Sequence, residues 1–527
     1  MPTLNWIGKE AVVNHDKDVP FRLLKKVKTY SVGDNSQNLI IKGDNLEGLK
    51  ALMPYYIGKI KCIYIDPPYN TGNESWVYND KVNSPKIKKW LGKVVGGEAQ
   101  DLCRHDKWLC MMYPRLKLLR DLLSEDGAIF ISIDNNEQAH LRLLMNEVFG
   151  EENFRNFIIV KRGTKNVQAQ FDKIDSLTQG YEYVLFYTKN SNNKINNFYL
   201  KLNEMTSGGW NNHWRGTNRP TMRYNLFNLK PEKGQWRWSE ERSKKAIVNY
   251  NKMIKEIGKK ESEITQDEID KWYTNKIEEL KMEGIDLLRL SKNNKPEHYI
   301  SPKIERMGTD LWIDINASNS HILKNLFEDK IFDTPKSLEI IKRIINFYSN
   351  KDSIILDSFA GSGTTGHAVL DLNKEDGGNR KFILIEMEDD IAKKITAERI
   401  RRAIEKYDYK EGFEYCELDK PLFDENGQIE ETCDFNQFAT YIYFTETQTN
   451  IDKKQIDRNF IGESGETEYY LIYKEKYKNI LDKNFLSKIK KTKYKKIIYA
   501  DFCMVDEDVL KLNNIQFKQI PYEVKVY

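Results

Sequence analysis

The stretch SIILDSFAGSGTTG, residues 353–366, decides the fold. Its first four residues predict a short buried strand, and the apolar spacing after the loop predicts a helix. Gly361, Gly363 and Gly366 satisfy the spacing G-x-G-x-x-G in this strand–turn–helix context. An acidic residue, Glu386, follows Gly366 by twenty positions, where the next predicted strand ends. The arrangement is typical of an α/β protein that binds a nucleotide-like ligand at the loop.

The glycine loop alone leaves the ligand open. A pyrophosphate, as in a dinucleotide, favours the N-terminus of the helix. S-adenosylmethionine has no phosphate, but its carboxylate suits the same amides and the hydroxyls of Thr364 and Thr365. Glu386 suits the ribose of either ligand. A purely structural tight turn is the remaining interpretation, and a P-loop is disfavoured because no Gly-Lys-Ser/Thr follows at the required spacing.

Strands and helices alternate on both sides of this loop. The predicted strands are 38–42, 60–65, 128–133, 353–356 and 381–385, and the predicted helices are 46–52, 108–123, 337–347 and 364–372. Such alternation predicts an α/β fold with a parallel sheet and helices on its faces. The sheet is Rossmann-like and is formed from two separated sequence segments.

Four regions follow from this pattern. Residues 1–160 and 326–434 form the two halves of the α/β domain, and 161–325 is an inserted region rich in Asn, Lys, Trp and Arg. Residues 435–527 are a small, separate C-terminal α+β domain. Its segment 471–500 has ten lysines and two acidic residues, which predicts a solvated face or, alternatively, a surface for phosphates or a partner.

Composition excludes several classes of protein. The 527 residues are 40% hydrophobic and 31% charged with a net charge of +4, which indicates a globular protein and does not by itself indicate nucleic acid. No apolar run approaches the ~20 residues of a membrane span, and no secretion signal begins the sequence, so we expect a cytoplasmic protein. Six cysteines without a CxxC pair and histidines without ligand spacing predict neither a disulfide framework nor a metal site.

A second motif, Asp66-Pro67-Pro68-Tyr69, follows the predicted strand 60–65. Ligands bind at this end of the strands in open α/β sheets. Two prolines cannot continue a strand ladder, and they fix the backbone so that its carbonyls are held rigidly. One interpretation is a capped turn at the end of a strand. The other is a binding site, because a carboxylate beside fixed carbonyls is a cluster of acceptors without donors.

Such a cluster suits the exocyclic amino group of a base. That nitrogen is a poor nucleophile because its lone pair is delocalised into the ring. Two acceptors on its hydrogens favour a tetrahedral nitrogen and stabilise the positive charge that develops as it attacks a methyl group. Tyr69 offers a face on which a base can stack, at ~1–3 kcal/mol per base. The base must first leave the duplex.

The two motifs together resemble the β-class of DNA amino-methyltransferases, in which the catalytic tetrapeptide precedes the cofactor loop and the target-recognition region lies between them. Further segments are similar to the modification (Mod) subunits of type III restriction–modification systems, from about Trp6 to about Arg402. These segments are 39–46, Ile131-Ser132-Ile133-Asp134, Glu182-Tyr183, 332–336 and, less specifically, 520–525. Two positions depart from the family pattern, since Ser358 replaces the usual proline of the loop and Asn135 replaces a frequent second acid.

The resemblance implies roles for residues in this sequence. Asp66 and the Pro67 carbonyl would hold the amino group of adenine, and Tyr69 would stack on the flipped base. The methionine carboxylate would lie near Thr364, Thr365 and Lys336, the ribose near Glu386, and the cofactor adenine near Asp44. The full set implied for S-adenosylmethionine is Asp44, Asp66, Lys336, Asp357, Phe359, Ala360, Gly361, Ser362, Gly363, Thr364, Thr365 and Glu386.

Residues 161–325 would then be the target-recognition region on double-stranded DNA. Candidate contacts to bases or phosphates are Asn211, Asn212, Arg215, Arg219, Arg223 and Arg237, although the same residues also suit a solvated surface. Its tryptophans are more typical of a core than of base contacts. The resemblance further implies a homodimer and a helicase–nuclease (Res) partner. The sequence shows no helicase or nuclease motif, so any DNA cleavage must come from another protein.

The leading hypothesis is thus an adenine-N6 DNA methyltransferase of the type III Mod kind. Cytosine-N4 methylation is the nearest alternative, because both amines suit the same acceptors, and an Asp rather than a Ser at position 66 favours adenine. A solitary methyltransferase and a DNA-binding subunit without catalysis also stay open. A nicotinamide-linked dehydrogenase would explain the glycine spacing but leaves Asp66-Pro67-Pro68-Tyr69 unexplained.

Overall fold

The computed structural model describes residues 4–33, 36–71, 104–163, 177–195, 197–202, 204–423, 429–430, 433–451, 456–474 and 478–520. The chain divides into two compact units, and the first contains both Met1–Asn196 and Asp310–Tyr527. The second unit is Asn197–Thr309, an insertion in the first.

The first unit begins with strands and helices in alternation. In chain order they are α1 (Lys9–Val12), α2 (His15–Asp18), β1 (Arg22–Lys26), β2 (Leu39–Lys42), α3 (Asn45–Tyr56), β3 (Ile60–Ile65), α4 (Arg104–Leu122), β4 (Leu123–Ile133), α5 (Gln138–Phe149), β5 (Phe154–Lys161) and β6 (Tyr181–Thr188). The second unit contains β7 (Tyr199–Lys201), β8 (Gly209–Asn212), β9 (Trp214–Arg215), β10 (Gln235–Trp236), α6 (Glu240–Ile257), α7 (Gln266–Leu280), β11 (Leu288–Leu290), β12 (Pro296–Ile300) and β13 (Glu305–Met307).

The first unit resumes with β14 (Leu311–Asn316), α8 (His321–Phe327), α9 (Leu338–Tyr348), β15 (Ile354–Asp357), α10 (Thr364–Asp376), β16 (Lys381–Glu386), α11 (Asp389–Ile391), α12 (Glu398–Tyr407) and β17 (Glu414–Pro421). A π-helical turn, Ala392–Ala397, joins α11 to α12. The chain continues with α13 (Phe435–Thr447), β18 (Phe460–Ser464), β19 (Thr467–Leu471), β20 (Ile480–Leu481), α14 (Lys483–Lys488), β21 (Lys495–Ala500), β22 (Phe502–Cys503), α15 (Glu507–Leu512) and β23 (Ile515–Gln519).

A central sheet in the order β1-β17-β2-β16-β15-β3-β4-β6-β5-β14 organises the first unit. The six strands from β17 to β4 run parallel to one another. Strands of the N-terminal and C-terminal segments are therefore interleaved in one sheet, and β15 of the later segment pairs directly with β3 of the earlier one. The predicted α/β fold, with one sheet built from two separated segments, is confirmed.

The sheet is not parallel throughout, which differs from the prediction. β6 pairs antiparallel with both β4 and β5, and β1 pairs antiparallel with β17. Antiparallel neighbours need no crossover helix, so the helix–strand rhythm stops at these edges. Both β6 and β14 fall inside the predicted insertion 161–325, yet they belong to the central sheet, and the compact insertion is narrower than that region.

Helices cover the sheet because its parallel strands are apolar on both faces. Ile63 and Tyr64, which are adjacent and so lie on opposite faces of β3, are both buried. Helix α3 begins at an N-cap, Asp44, whose side chain accepts hydrogen bonds from two backbone amides of the first turn. Gly48 allows α3 to pack closely on Ile385 of β16, and the cap lies at the carboxyl end of the sheet because it follows β2 directly.

Residues beyond α13 form a second sheet in the order β18-β19-β21-β23. The α+β character is as predicted, but this part is not separate from the first unit. Its hydrophobic core includes Leu23 of β1 and Leu422, which follows β17. No helix among the described residues is long and apolar enough to cross a bilayer.

Candidate functional site

The site lies at one edge of the central sheet, where parallel strands end together. Asp66 follows β3, the glycine loop follows β15, and Glu386 ends β16. β3 and β15 are hydrogen-bonded neighbours, so Asp66 and Asp357, which are 291 positions apart in sequence, share one edge. A pocket between the two motifs is lined by Tyr64, Asp66, Phe332, Thr334, Lys336, Asp357, Phe359, Ala360, Gly361, Ser362, Thr364 and Thr365.

Two glycines give the loop its shape. Gly361 has φ 51° and Gly363 has φ 76°, in the left-handed region that favours glycine. Gly363 is the N-cap of α10, so free backbone N–H groups of the first helical turn face the end of the loop. A ligand with acceptor groups suits this helix terminus.

Glu386 fixes the loop to the neighbouring strand. One carboxylate oxygen accepts a hydrogen bond from the Gly361 backbone N–H at 2.9 Å, and the other accepts from the Glu388 backbone N–H at 2.9 Å. Each carboxylate oxygen can accept more than one hydrogen bond. Glu386 can therefore hold the loop and also take the ribose hydroxyls that the sequence assigns to it.

Asp357 is a buried carboxylate at the start of the loop. It accepts hydrogen bonds from the Thr365 hydroxyl at 2.6 Å and the Phe359 backbone N–H at 3.0 Å. Burial raises the pKa of Asp357 to about 7, although the Thr365 and Phe359 hydrogen bonds oppose this shift. The Thr365 hydroxyl, which we expected at the methionine carboxylate, is thus directed at Asp357.

Asp66 is the central group of the second motif. Its Oδ1 atom is fully buried and makes no hydrogen bond of good geometry with any described residue, although Lys336 Nζ is 3.3 Å away. Burial raises the pKa of Asp66 to about 6, Lys336 lowers it and Glu182 raises it. A buried carboxylate oxygen with only this one contact can accept a further hydrogen bond, and a ligand amino group would supply it.

Lys336 lies among the acids of this motif. Its Nζ donates to Glu182 Oε1 at 2.6 Å and to the Tyr69 hydroxyl, and it lies 4.8 Å from the centre of the Tyr69 ring. Burial favours a lower pKa for Lys336, but the Asp66 and Glu182 carboxylates hold it above its ordinary value. The predicted place of Lys336 at the methionine carboxylate therefore competes with two ion pairs.

Trp108 of α4 fixes the tetrapeptide from behind. Its indole N–H donates to the Pro68 carbonyl at 2.7 Å, and its side chain has no exposed surface. The Pro68 carbonyl is therefore not an outward acceptor, in contrast to our expectation for the whole segment. The hydrogen bond from Trp108 fixes the backbone next to the Pro67 carbonyl, which we expect to accept from the amino group of a base.

We expect Trp108→Phe to reduce transfer to the site's substrate by about tenfold. The substitution keeps most of the buried ring but leaves the Pro68 carbonyl without its donor, at a cost of about 1–3 kcal/mol. The check is a comparison of turnover with ligand affinity, because a displaced tetrapeptide lowers the first and spares the second. Equal turnover in both proteins would show that the hydrogen bond does not position the motif.

A buried glutamate holds the residue after the tetrapeptide. Glu137 accepts from His105 Nδ1 and His140 Nδ1, each at 2.7 Å, and from the Asn70 side-chain amide. Asn70 has a left-handed backbone, with φ 57°. The trio of His105, Glu137 and His140 has groups that can ligate metals, which the sequence spacing does not predict. The two short hydrogen bonds connect the imidazoles to the carboxylate itself.

The other predicted residues fall in two places. Asp44 lies at the same edge, where it caps α3 and forms an ion pair with Arg115 at 3.2 Å. The predicted DNA contacts all belong to the second unit, and Asn211, Asn212, Arg215 and Arg219 are exposed there. Arg223 instead donates to the backbone carbonyls of Gly234 and Glu232, so its guanidinium holds a loop.

Several residues of the site are not predictable from single motifs. Trp108 contacts the tetrapeptide itself, whereas Glu137 contacts the adjacent Asn70 and Glu182 contacts Lys336. The family resemblance includes Glu182-Tyr183 but implies no role for it. The signal for Glu182 is the acid that interrupts the apolar strand Tyr181–Thr188, because a buried charge in such a strand needs a partner.

Comparison with known proteins agrees with this geometry. Residues 60–398 match the family profile described as DNA methylase, N6_N4_Mtase. The chain is 34% identical over 389 residues to the type III restriction-modification enzyme StyLTI Mod subunit of Salmonella typhimurium, covering 70% of this chain and 55% of that protein. It is 32% identical to the EcoPI Mod subunit of Escherichia phage P1, covering 74% and 64%.

A shorter relative is matched over most of its own length. The type II methyltransferase M.KpnI of Klebsiella pneumoniae is 32% identical, with 70% of this chain and 85% of that protein covered. The chain spans only about 55–64% of the two Mod subunits. The family profile covers both the tetrapeptide and the glycine loop. This chain therefore belongs to the N6_N4_Mtase family of DNA methylases.

Proposed function

We propose that the chain is an adenine-specific DNA methyltransferase, which transfers a methyl group from S-adenosylmethionine to the N6 amino group of a flipped adenine. The observation that carries this proposal is the buried Asp66 carboxylate, which shares one pocket with the glycine loop and whose Oδ1 atom makes only a 3.3 Å ion-pair contact with Lys336 and no hydrogen bond of good geometry among the described residues. The Asp66 carboxylate can accept a hydrogen bond from an amino group, and the family supports methylation as the reaction.

The pocket residues fit S-adenosylmethionine. When bound, this cofactor supplies a methyl group already activated on a sulfonium. Asp66 and Asp357 line the pocket in which this cofactor would lie. Glu386 would hold the ribose, the Thr364 region the methionine carboxylate, and Asp44 would lie beside the adenine of the cofactor.

The tetrapeptide would position the acceptor nitrogen. Asp66 and the Pro67 carbonyl accept its two hydrogens, so the lone pair is directed at the methyl group and the charge that develops is stabilised. Alignment supplies most of the rate enhancement, because the methyl group needs no further activation. We assign the flipped base to the Tyr69 ring, whose centre lies 4.8 Å from Lys336 Nζ.

Adenine is favoured over cytosine by two observations. The first residue of the tetrapeptide is Asp66 rather than a serine, and four similar proteins are named as Mod subunits, the resemblance to which points to adenine. Cytosine-N4 methylation is the second candidate, because the family profile covers both kinds of amine.

The chain would act on double-stranded DNA in the cytoplasm as the modification subunit of a type III system. Its second unit would read the target through exposed amides and arginines such as Asn211, Asn212 and Arg215. A homodimer and a Res subunit are the expected partners, and a solitary methyltransferase is the alternative. Light scattering that finds a strict monomer with and without DNA would contradict the dimer.

The test is a transfer assay with labelled S-adenosylmethionine and DNA of mixed sequence, followed by identification of the modified base. Label in N6-methyladenine supports the proposal, and label in N4-methylcytosine supports the second candidate. No label in DNA, together with tight binding of a nicotinamide dinucleotide, would instead favour a dehydrogenase. Addition of a purified Res subunit then tests the type III assignment by DNA cleavage.

We expect the methylation rate to rise with pH through a value of about 6, the pKa to which burial raises Asp66. The ionised carboxylate is the form that accepts from the amino group, so protonation at lower pH removes the acceptor. The measurement is a single-turnover rate from pH 5 to 8 with saturating cofactor. A rate that is flat over this range would mean that the ionisation of Asp66 does not control the step.

A further inference from the structure

Arg399 is a buried cation directly behind the glycine loop. It is the second residue of α12, and 1% of its surface is exposed. Its guanidinium donates to the Thr364 hydroxyl at 2.7 Å, and to the Ser362 hydroxyl at 3.0 Å and carbonyl at 3.3 Å. Its Nε donates to His367 Nδ1 at 3.4 Å. All of these partners are neutral groups.

In the part of the chain that the structure describes, no carboxylate forms an ion pair with Arg399. The neighbouring Arg401 and Arg402 both pair with Glu398, and the buried Lys336 pairs with two acids. Burying a charge without a partner is costly. Burial lowers the pKa of Arg399 to about 9, so the side chain is still charged at neutral pH. We therefore expect the buried charge of Arg399 to be compensated by an anion.

The position of Arg399 points to a ligand anion. Ser362 and Thr364 line the pocket, and Arg399 lies on their far side. The N-terminus of α10 begins at Thr364 and contributes a partial positive charge at the same place. The rest of the pocket lining contributes the acidic residues Asp66 and Asp357, and the charge of Lys336 is matched by Asp66 and Glu182. The positive field of the pocket is therefore concentrated at the Ser362–Thr364 end.

The hydrogen bonds also orient the two hydroxyls. A hydroxyl that accepts from arginine keeps its own hydrogen as a donor. Those hydrogens have weak acceptors in the structure, since Ser362 Oγ lies 3.2 Å from Thr364 Oγ1 and Thr364 Oγ1 lies 3.4 Å from the Lys336 carbonyl. A carboxylate at this end of the pocket would accept a stronger, charge-assisted hydrogen bond from either of them.

We propose that Arg399 is a positioning residue for the carboxylate of the cofactor's methionine moiety. It aligns the Ser362 and Thr364 hydroxyls as donors and supplies the charge that balances the carboxylate without touching it. This inference rests on the proposed function, because it assumes S-adenosylmethionine in the pocket. It also explains how the carboxylate is balanced although Lys336 is paired with Asp66 and Glu182.

The test compares two ligands that differ in one group. The dissociation constants of S-adenosylmethionine and decarboxylated S-adenosylmethionine are measured by calorimetry for the wild type, Arg399→Met, Arg399→Lys and the control Arg401→Met. We expect Arg399→Met to raise the dissociation constant of S-adenosylmethionine by about 10- to 100-fold and that of the decarboxylated ligand by less than about threefold. Lysine should restore part of the loss, and Arg401→Met should change neither constant.

Equal losses for both ligands in Arg399→Met would overturn the inference, because they would show a purely structural role. If that variant fails to fold, Thr364→Val, which keeps the arginine, is the second test, and it should lose affinity for S-adenosylmethionine alone. Unchanged affinity for both ligands, or an equal loss for both, would also overturn the inference. A wild type that binds neither ligand would contradict the proposed function itself, so the two failures are distinguishable.

Discussion

Replacing Asp66 with alanine is expected to lower methyl transfer by about 100- to 1,000-fold, the loss typical of removing one preorganised electrostatic partner. The acceptor is lost where positive charge develops on the nitrogen. Folding should survive, because Lys336 keeps its ion pair with Glu182 at 2.6 Å. The glycine loop makes no hydrogen bond to Asp66 among the described residues, so cofactor affinity should change by less than about threefold.

Single-turnover rates and cofactor binding are the two measurements that test this effect. Asp314→Ala is a suitable control, because Asp314 is an exposed residue of the edge strand β14 that pairs with Arg343 and does not line the pocket. That variant should transfer at the wild-type rate. Normal transfer by Asp66→Ala would show that the tetrapeptide does not hold the amino group, whereas lost cofactor binding would place Asp66 in cofactor binding instead.

The parts of the fold that were predictable are those written locally in the sequence. β3, β15 and β16 are short apolar runs that end in Asp66, the glycine loop and Glu386, and the structure places each strand within one residue of its predicted bounds. Their functional residues follow the strand ends, and parallel strands end at one edge. Two motifs far apart in sequence could therefore be assigned to one site.

The rest depends on contacts between distant residues. Lys336 contacts Tyr69 across 267 positions, and Arg399 contacts Ser362 across 37. Neither contact has a local pattern, because the partner of a buried charge is selected by the fold and not by spacing. The antiparallel strand β6 was missed for a related reason, since its run Tyr181–Thr188 lies beyond the last helix–strand alternation.

The glycine loop gives the second large effect. We expect Gly363→Val to weaken the binding of S-adenosylmethionine by about 100-fold. Gly363 has φ 76°, and this left-handed backbone costs a residue with a side chain about 1–2 kcal/mol. A Cβ atom there would also lie 3.2 Å from the Thr396 carbonyl oxygen. Relief of either strain moves the amides at the start of α10 and, with them, the donors for the cofactor.

Gly377→Val separates this effect from general strain, because Gly377 ends the same helix with φ 68°. A Cβ atom there meets no heavy atom within 4 Å, so the substitution adds the backbone cost without changing the loop. Calorimetry should then find normal cofactor affinity in Gly377→Val. Its thermal stability should fall by about the same backbone cost that the substitution at Gly363 adds. Equal affinity in the two variants would mean that the loop does not bind the cofactor through its backbone. Such a result would leave Asp66 as the sole support for the methyl-transfer site, since the family's cofactor loop would then have no binding role in this chain.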